Sequence, residues 1–466
     1  MGVLDLLRDI LSTPAILVGL LAMVGLLFLK APVQDVVSGT IKTITGFLII
    51  GGGAGILIGA LDPLGTMVSE GLGLQGVIPT NEAVVGLAQE NFGSQTASIM
   101  GLAFLINLVL ARITKLRYVF LTGHHVLFMS ALVAVIIGSA GASSSQLIIP
   151  GALCVGSLMV LMPAFAMPFT RKVTDGDPIA VGHFGTLSYV AAGLAGKYLG
   201  DPEKSTEDVN VPKGLSFFRD TLVSTAVAMI IVYMIFAIIA GPGVVRELSG
   251  DTNPYVYAFI QSLTFAAGVW VILVGVRMLL AEIVPAFEGI SEKLIPDALP
   301  ALDIPIVFPY APTAVVIGFG SSLLGGLVAL PLLGPIGLAL ILPGMVPHFF
   351  VGGGAGVFGN ALGGRRGAVI GAFVSGLLIT FLPAFLLNYL GDLGLANTTF
   401  GDSDFGWFGL VLGSLVEASV TFAWVLAAIL VAATFAVGQF FPALRPRGAE
   451  GDVVDEEADA DADQVA

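Results

Sequence analysis

Residues 40–60 read TIKTITGFLIIGGGAGILIGA, a stretch with one charged side chain, Lys42, and no proline. About 20 apolar residues are enough for a helix to cross the roughly 30 Å hydrocarbon core of a bilayer, so this stretch predicts a membrane-spanning helix. Similar runs recur along the chain. The predicted spans are 13–30, 40–60, 96–111, 118–138, 146–168, 220–241, 258–281, 312–333, 335–352, 367–390 and 409–441. The sequence therefore predicts an all-α polytopic membrane protein with about eleven transmembrane helices.

The composition of the whole chain agrees with this class. The chain has 466 residues, of which 56% are hydrophobic and 11% charged, whereas about a quarter of the residues in a soluble domain are charged. Its 61 glycines and 25 prolines fit closely packed and broken helices, because neighbouring helices satisfy the backbone groups that a break leaves free. A water-soluble fold is excluded, and a formal net charge of -14 argues against nucleic acid as a partner.

The single cysteine and the basic residues set further limits. Cys154 lies in an apolar run, so a disulfide within the chain, a cysteine zinc site and a CxxC redox motif are all excluded. Lysine and arginine accumulate in cytoplasmic loops, and their distribution predicts an outside N-terminus and a cytoplasmic C-terminus in the cell membrane. The basic residues then on the inside include Lys30, Lys42, Arg112, Lys115, Arg117, Arg171, Lys172, Arg365, Arg366, Arg445 and Arg447.

The second half of the chain also matches the first half at a constant offset. Gly46, Gly53, Leu57, Pro63, Ser69, Glu70 and Leu72 fall on Gly268, Gly275, Leu279, Pro285, Ser291, Glu292 and Leu294. The second and seventh predicted spans are five crossings apart, so the two copies would be inverted relative to each other, as in many transporters. The predicted organisation is a first membrane repeat at 1–170, a cytoplasmic segment with a short re-entrant helix at 171–219, a second repeat at 220–445 and a disordered acidic cytoplasmic tail at 446–466.

Two polar segments occupy equivalent places in the two copies. Residues 63–92 and 285–312 mix glycine or proline with carboxylates, and both are predicted to form re-entrant hairpins. At the repeat offset Asn81 coincides with Asp303, which predicts that one polar residue from each hairpin tip meets the other near the midplane of the membrane.

Several strings of sequence resemble one family of membrane proteins. They are GTIKTITGFLI at 39–49, LTGHHVLF at 121–128, VTDGDPIAVGHF at 173–184, GVRMLLAEIVPAFEGISEKLIP at 275–296 and APTAVVIGF at 311–319. In this order and spacing, the chain resembles the ascorbate-type IIC permeases of the sugar phosphotransferase system, within the ascorbate/galactitol superfamily. The resemblance implies a homodimer in membrane lipid that imports L-ascorbate or a related sugar or polyol. Cytosolic IIB and IIA proteins would carry the phosphoryl chemistry, so no catalytic residue, metal or cofactor is expected here.

The resemblance also implies a set of substrate-binding residues. They are Asn81, Glu82, His124, His125, Val126, Leu127, Phe128, His183, Phe184 and Asp303. Three of them depart from the ascorbate-type pattern, which has a tyrosine in place of Glu82 and glutamines in place of Phe128 and Phe184. L-Ascorbate is an anion at neutral pH and would be repelled by ionised carboxylates, whereas a neutral sugar or polyol would donate hydroxyl hydrogen bonds to them. Both substrate classes stay open at this point.

Structural roles compete with these assignments. An ionisable group such as Asp303 is costly at membrane depth unless it pairs or lines a cavity, which favours function. Glu82 would instead be a solvated hairpin residue, and Asn81 a helix cap. His125 would face away from His124 on a helix and serve packing alone.

The same residues could serve two other functions or a metal site. In an ion-coupled secondary transporter, Asp303 or Glu82 would carry the coupling proton. An intramembrane enzyme would use the histidines and carboxylates as acids, bases or metal ligands. A metal site from His124, His183 and His348 is disfavoured, because the sequence has no HExxH spacing.

Overall fold

The computed structural model describes residues 13–208, 221–295, 297–391, 393 and 397–446. Residues 209–219 of the predicted cytoplasmic segment, and the acidic tail beyond Pro446, lie outside the described residues. The described chain consists mainly of helices, joined at several places by very short strands.

The first half of the described chain contains six helices and three strands. They are α1 Pro14–Phe28, α2 Val33–Leu72, β1 Gly76–Pro79, α3 Asn81–Ile113, β2 Tyr118–Phe120, α4 Gly123–Ser139, α5 Ser144–Val173, β3 Ala180–Val181 and α6 Thr186–Leu199. A 3₁₀ turn at Thr206–Asp208 follows. Helix α3 is kinked at Phe92, whose backbone leaves the helical region.

The second half repeats much of this order. Its elements are α7 Thr221–Ser249, α8 Pro254–Leu294, β4 Leu299–Leu302, a 3₁₀ helix Ile304–Tyr310, α9 Pro312–Leu333, β5 Leu340–Ile341, α10 Met345–Pro347, a π-helical turn His348–Gly352, α11 Gly353–Leu386, β6 Thr398–Thr399, α12 Ser403–Ala418 and α13 Phe422–Phe440. Helix α11 is kinked at Gly363 and Gly364, and Gly364 has a φ of 55° that favours glycine.

Eight helices within the described ranges are long and apolar enough to cross a membrane. They are Val33–Leu72, Asn81–Ile113, Ser144–Val173, Thr225–Ser249, Pro254–Leu279, Pro312–Ile336, Met345–Tyr389 and Phe422–Phe440. The shorter helix α4 is also apolar. The all-α polytopic membrane fold predicted from the sequence is therefore confirmed, while these criteria give eight spanning helices rather than eleven.

The difference in number is clearest between residues 335 and 390. The sequence predicts two spans there, 335–352 and 367–390. The structure has strand β5 and then a helical stretch, Met345–Tyr389, that is broken at Gly363 and Gly364, so that its second part corresponds to the span predicted at 367–390. An apolar run shorter than a full membrane span fits a buried strand or turn as well as a helix, so hydropathy alone does not separate them.

The glycines that match between the two halves meet where helices α2 and α8 cross. A Cβ atom built on Gly46 would lie 2.7 Å from the backbone oxygen of Gly275, and one on Gly53 would lie 3.2 Å from the backbone oxygen of Gly268. Gly46 and Gly53 correspond to Gly268 and Gly275 at the repeat offset. The residue pairs Gly46–Gly275 and Gly53–Gly268 are therefore exchanged by the repeat offset, as expected where two matching halves pack through equivalent positions.

The short strands show the same relation and interlock the two halves. One parallel sheet has the order β5-β1-β6 and the other the order β2-β4-β3, with Gly76 opposite Leu340 and Tyr118 opposite Leu299. At the repeat offset β1 corresponds to β4 and β2 to β5. Each sheet thus takes its central strand from one half of the chain and both edge strands from the other.

Candidate functional site

The two sheets direct polar residues into one cavity. Each strand is followed closely in the chain by a residue that lines a cavity of about 560 Å³. The described lining residues are Asn81, Glu82, Leu121, Thr122, Gly123, His124, His125, Phe128, His183, Leu273, Val276, Arg277, Ala281, Pro285, Leu302, Asp303, Val346, Phe350 and Asp402. Helices also begin here, at Asn81, Gly123, Met345 and Ser403, and helix N-termini carry partial positive charge.

Seven of the ten residues assigned through the family resemblance line this cavity. They are Asn81, Glu82, His124, His125, Phe128, His183 and Asp303. The lining set of described residues does not include Val126 or Leu127, which are fully buried in the packed core. Phe184 is also fully buried and lies behind the wall, where its ring stacks on Phe120 with centroids 5.0 Å apart. The expected direct contacts of these three side chains with substrate are not supported by their positions.

Asn81 connects the two halves of the chain at the cavity wall. Its Nδ2 donates to Asp402 Oδ2 over 3.0 Å, and its Oδ1 accepts the backbone N–H of Gly401 over 2.8 Å. Thr80 occupies the N-cap position of α3. Asn81 is thus not the helix cap considered from the sequence; it holds the end of β1 against the end of β6.

Glu82 is buried beside Asn81 in the first turn of α3. Its relative exposure is 4%, so the alternative of a solvated hairpin residue is wrong. Among the described residues, Glu82 Oε2 has no hydrogen-bond partner, although it is inaccessible to bulk water. A buried oxygen without a partner is costly, which makes Glu82 a group prepared for a ligand or a proton.

Asp303 is the polar residue that the second half contributes. Its Oδ1 caps the 3₁₀ helix by accepting the N–H of Ile304 over 2.8 Å. Its carboxylate also faces two imidazoles, with Oδ2 3.4 Å from His124 Nε2 and Oδ1 3.8 Å from His183 Nε2. About a third of this side chain is open to the cavity, so it retains room to accept a ligand hydroxyl. Asn81 and Asp303 therefore line one cavity, in agreement with their coincidence at the repeat offset.

Hydrogen bonds orient two of the histidine rings. The backbone N–H of Phe184 donates to His125 Nδ1 over 3.2 Å, so the proton of a neutral His125 resides on Nε2. The Tyr189 hydroxyl lies 2.9 Å from His183 Nδ1. His125 was expected to be structural because it faces away from His124, but it reaches the cavity too, since its ring is held against that of His183 with centroids 3.8 Å apart.

The histidines and carboxylates form two clusters with atoms close enough to suit a cation. These are His124, His125 and Asp303, and His125, His183 and Asp402, with candidate ligand atoms within 4.8 Å of one another. Both include His125, whose Nδ1 already accepts the N–H of Phe184, which leaves the proton of the neutral ring on Nε2. His348, a member of the trio considered from the sequence, instead lies 2.8 Å from Ser322 and belongs to neither cluster. The described residues therefore do not support a metal site.

Two carboxylates and an arginine at this site were not among the residues predicted from the sequence. Asp402 lines the cavity, and Asp404 supports it by accepting the N–H groups of Thr186 over 2.8 Å and Leu187 over 2.9 Å. Arg277 lines the cavity from α8. A signal for the carboxylates exists in FGDSDFG at 400–406, where two acids stand at the start of an apolar helix. Ionisable groups in such surroundings are costly unless they pair or line a cavity.

Matching halves, broken helices and a polar cavity between the halves define the class of protein. Together they are the architecture of a membrane transport protein.

Comparison with known proteins then gives the family. The family model described as the sugar-specific permease component of the PTS system, EIIC-GAT, matches residues 9–404, so the chain belongs to this family, as its sequence motifs predicted. A curated relative is the ascorbate-specific PTS system EIIC component of Mycoplasma pneumoniae (strain ATCC 29342 / M129 / Subtype 1). It is 26% identical over 442 residues, an alignment covering 83% of this chain and 66% of the relative. The chain thus spans just under two thirds of the length of that relative.

Proposed function

We propose that this permease translocates a neutral sugar or polyol, rather than L-ascorbate, and releases it on the cytoplasmic side to a separate IIB protein that phosphorylates it. The observation that carries the proposal is the charge of the cavity. Three carboxylates, those of Glu82, Asp303 and Asp402, and one guanidinium, that of Arg277, are among its described lining residues.

The positions of these carboxylates argue against an anionic ligand. Helix N-termini attract negative charge, but here Glu82 occupies the first turn of α3, and Asp303 caps its own 3₁₀ helix. Asp402 stands at the N-cap position of α12. The chain's own acids therefore fill the places where an anion such as ascorbate would be stabilised.

The same groups suit a ligand with many hydroxyls. Carboxylate oxygens accept hydrogen bonds from hydroxyl groups, and bonds to a charged acceptor are stronger than neutral ones. Arg277 offers donors and the His183 ring a further polar group, while the rings of Phe128 and Phe350 line the wall and cover the apolar face of a carbon chain or sugar ring.

The proposed transport cycle is alternating access of a cavity built between two inverted halves. The cytoplasmic side is taken to be the end that bears Arg112, Arg171 and Arg365, since basic residues accumulate there. This orientation gives the C-terminus to the cytoplasm, where IIB and IIA operate. A homodimer, as the family resemblance implies, is part of the proposal.

An uptake experiment tests the proposal directly. Cells that express the chain with and without its cognate IIB are given labelled L-ascorbate or a labelled panel of five- and six-carbon polyols and sugars. We expect phosphorylated product from a neutral member of the panel, only with IIB, and loss of at least tenfold in the Asp303→Asn variant. Phosphorylated ascorbate as the sole product would refute the substrate class.

A second candidate function is an ion-coupled secondary transporter, favoured by the buried Glu82 oxygen that has no partner among the described residues. It predicts uptake that needs no IIB and collapses when a proton uncoupler is added. IIB-dependent uptake that survives the uncoupler would exclude it.

A further inference from the structure

Glu82 and Asp402 line the same cavity from different halves of the chain. Asn81, the neighbour of Glu82, donates to Asp402 Oδ2 over 3.0 Å and accepts from the Gly401 N–H over 2.8 Å. The strand before Glu82 pairs with the strand before Asp402, with Pro79 opposite Thr399. Both carboxyls are about 4% exposed and line the same cavity.

Two ionised carboxylates in this position would be offset by the partial charges of the α3 and α12 N-termini, but within the described residues neither forms a salt bridge with a lysine or arginine. Within the part of the chain that the structure describes, the Asp402 carboxylate accepts one hydrogen bond, from the neutral Asn81 amide. Its Oδ2 lies 3.9 Å from His125 Nε2, which carries a proton but no charge in the neutral ring. Glu82 Oε2 has no hydrogen-bond partner among the described residues. Like charges held together in a buried site disfavour double ionisation.

We propose that Glu82 and Asp402 form a proton-binding site in which one proton is shared between the two carboxyl groups. One proton held by the pair leaves one negative charge in this part of the cavity where there would otherwise be two. A proton on Glu82 or a hydrogen bond from the other carboxyl would satisfy the Glu82 oxygen that has no partner among the described residues.

The surroundings of the pair support this arrangement. Asp402 lies outside the eight candidate spans, and burial, followed by the proximity of Glu82, raises its pKa well above the usual range. The other ionisable groups that line the cavity are Asp303, His124, His125, His183 and Arg277. With a shared proton and neutral histidines, the formal charge of the cavity is -1 instead of -2, counting Glu82, Asp303 and Asp402 against Arg277.

This proton would distinguish the chain within its own family. The pair includes Glu82, which stands where the ascorbate-type pattern has a tyrosine, and a phenol does not ionise near neutral pH. The inference concerns the same cavity as the proposed function, but the proton is bound whether or not the sugar assignment is correct.

Infrared spectroscopy of the purified full-length protein at neutral pH tests the inference without any sugar. The carbonyl stretch of a protonated carboxylic acid is separate from the bands of ionised carboxylates. We expect the spectra of Glu82→Gln and Asp402→Asn each to lack one carboxylic-acid band of the wild-type spectrum. The missing band should be the same in both variants, because the two groups share one proton. Glu70→Gln, at an exposed carboxyl of α2, is the matched control and should retain it.

Three outcomes would overturn the proposal. One is the absence of a protonated carboxyl from the wild-type spectrum. Another is a band that Asp402→Asn abolishes and Glu82→Gln leaves intact, which would place the proton on Asp402 alone. The third is a band that survives in both variants, which would assign the proton to another acid such as Asp303. Failure of the polyol uptake experiment would leave each of these spectroscopic results unchanged.

Discussion

Replacement of Asn81 by alanine tests how the two halves of the chain are held together at the cavity. The change removes the donor to Asp402 Oδ2 at 3.0 Å and the acceptor for the Gly401 N–H at 2.8 Å. All three residues are buried. Leaving a buried polar group without its partner costs about 1–3 kcal/mol, and more where the group is charged. Two such groups give an expected loss of about 4 kcal/mol in the free energy of unfolding.

The assay is reversible unfolding in mixed micelles, compared with a second asparagine that has a single local role. Asn253 Oδ1 accepts the N–H of Tyr255 over 3.0 Å at the exposed start of α8, and loss of such a cap costs about 1 kcal/mol. Asn81→Ala should therefore destabilise the protein by about 3 kcal/mol more than Asn253→Ala. Equal losses in the two variants would refute the idea that Asn81 bridges the halves.

Three further substitutions probe the packing and the support of the cavity. Gly275→Val places a Cβ 2.6 Å from the backbone oxygen of Gly46 and should destabilise the protein by about 1–3 kcal/mol in the same unfolding assay. Asp404→Asn weakens the charge-assisted bonds to the first turn of α6 and should lower stability by about 1–2 kcal/mol. Tyr189→Phe removes the hydroxyl 2.9 Å from His183 Nδ1 and should lower stability by about 1–3 kcal/mol, because a buried ring nitrogen loses its partner. Sugar uptake should also fall, by about tenfold, because the His183 ring is no longer held in one orientation.

Each of these substitutions has a matched control in the described chain. Gly51→Val adds a side chain where a Cβ meets no atom within 4 Å, Glu417→Gln changes an exposed carboxyl of α12, and Tyr198→Phe changes a tyrosine that is 71% exposed. A control that matches its test variant in stability or uptake would contradict the corresponding explanation.

The sequence predicts the fold well because its main signals are local. Long apolar runs and clustered glycines identify the membrane helices, and the glycines that match at the repeat offset lie at the α2–α8 crossing. The strands could not be predicted from local sequence signals. Strands β1, Gly76–Pro79, and β5, Leu340–Ile341, are too short to show a period. Their pairing also joins positions that are far apart in the chain, with Gly76 opposite Leu340.

Some residues of the candidate site could likewise be predicted from the sequence, whereas others could not. Asn81 and Asp303 coincide at the repeat offset and line one cavity. The comparison at the repeat offset does not identify Asp402. Strand β6, which precedes Asp402, is displaced from the position that the offset gives for the counterpart of β3. Val126 and Leu127 lie within a motif shared with the family, but their positions on helix α4 direct both side chains into the core. Motif membership identifies a segment, whereas the side that each residue presents depends on its packing.

The exchange of strands between the two halves bears on the ancestry of this architecture. A hypothetical chain with one half alone would have a central strand without edges and edge strands without a centre, since β1 pairs with β5 and β6 while β4 pairs with β2 and β3. Such a chain would complete its sheets only by pairing with a second copy of itself. Fusion of two copies would make this pairing intramolecular and would leave the two halves free to differ, as Asn81 and Asp303 do.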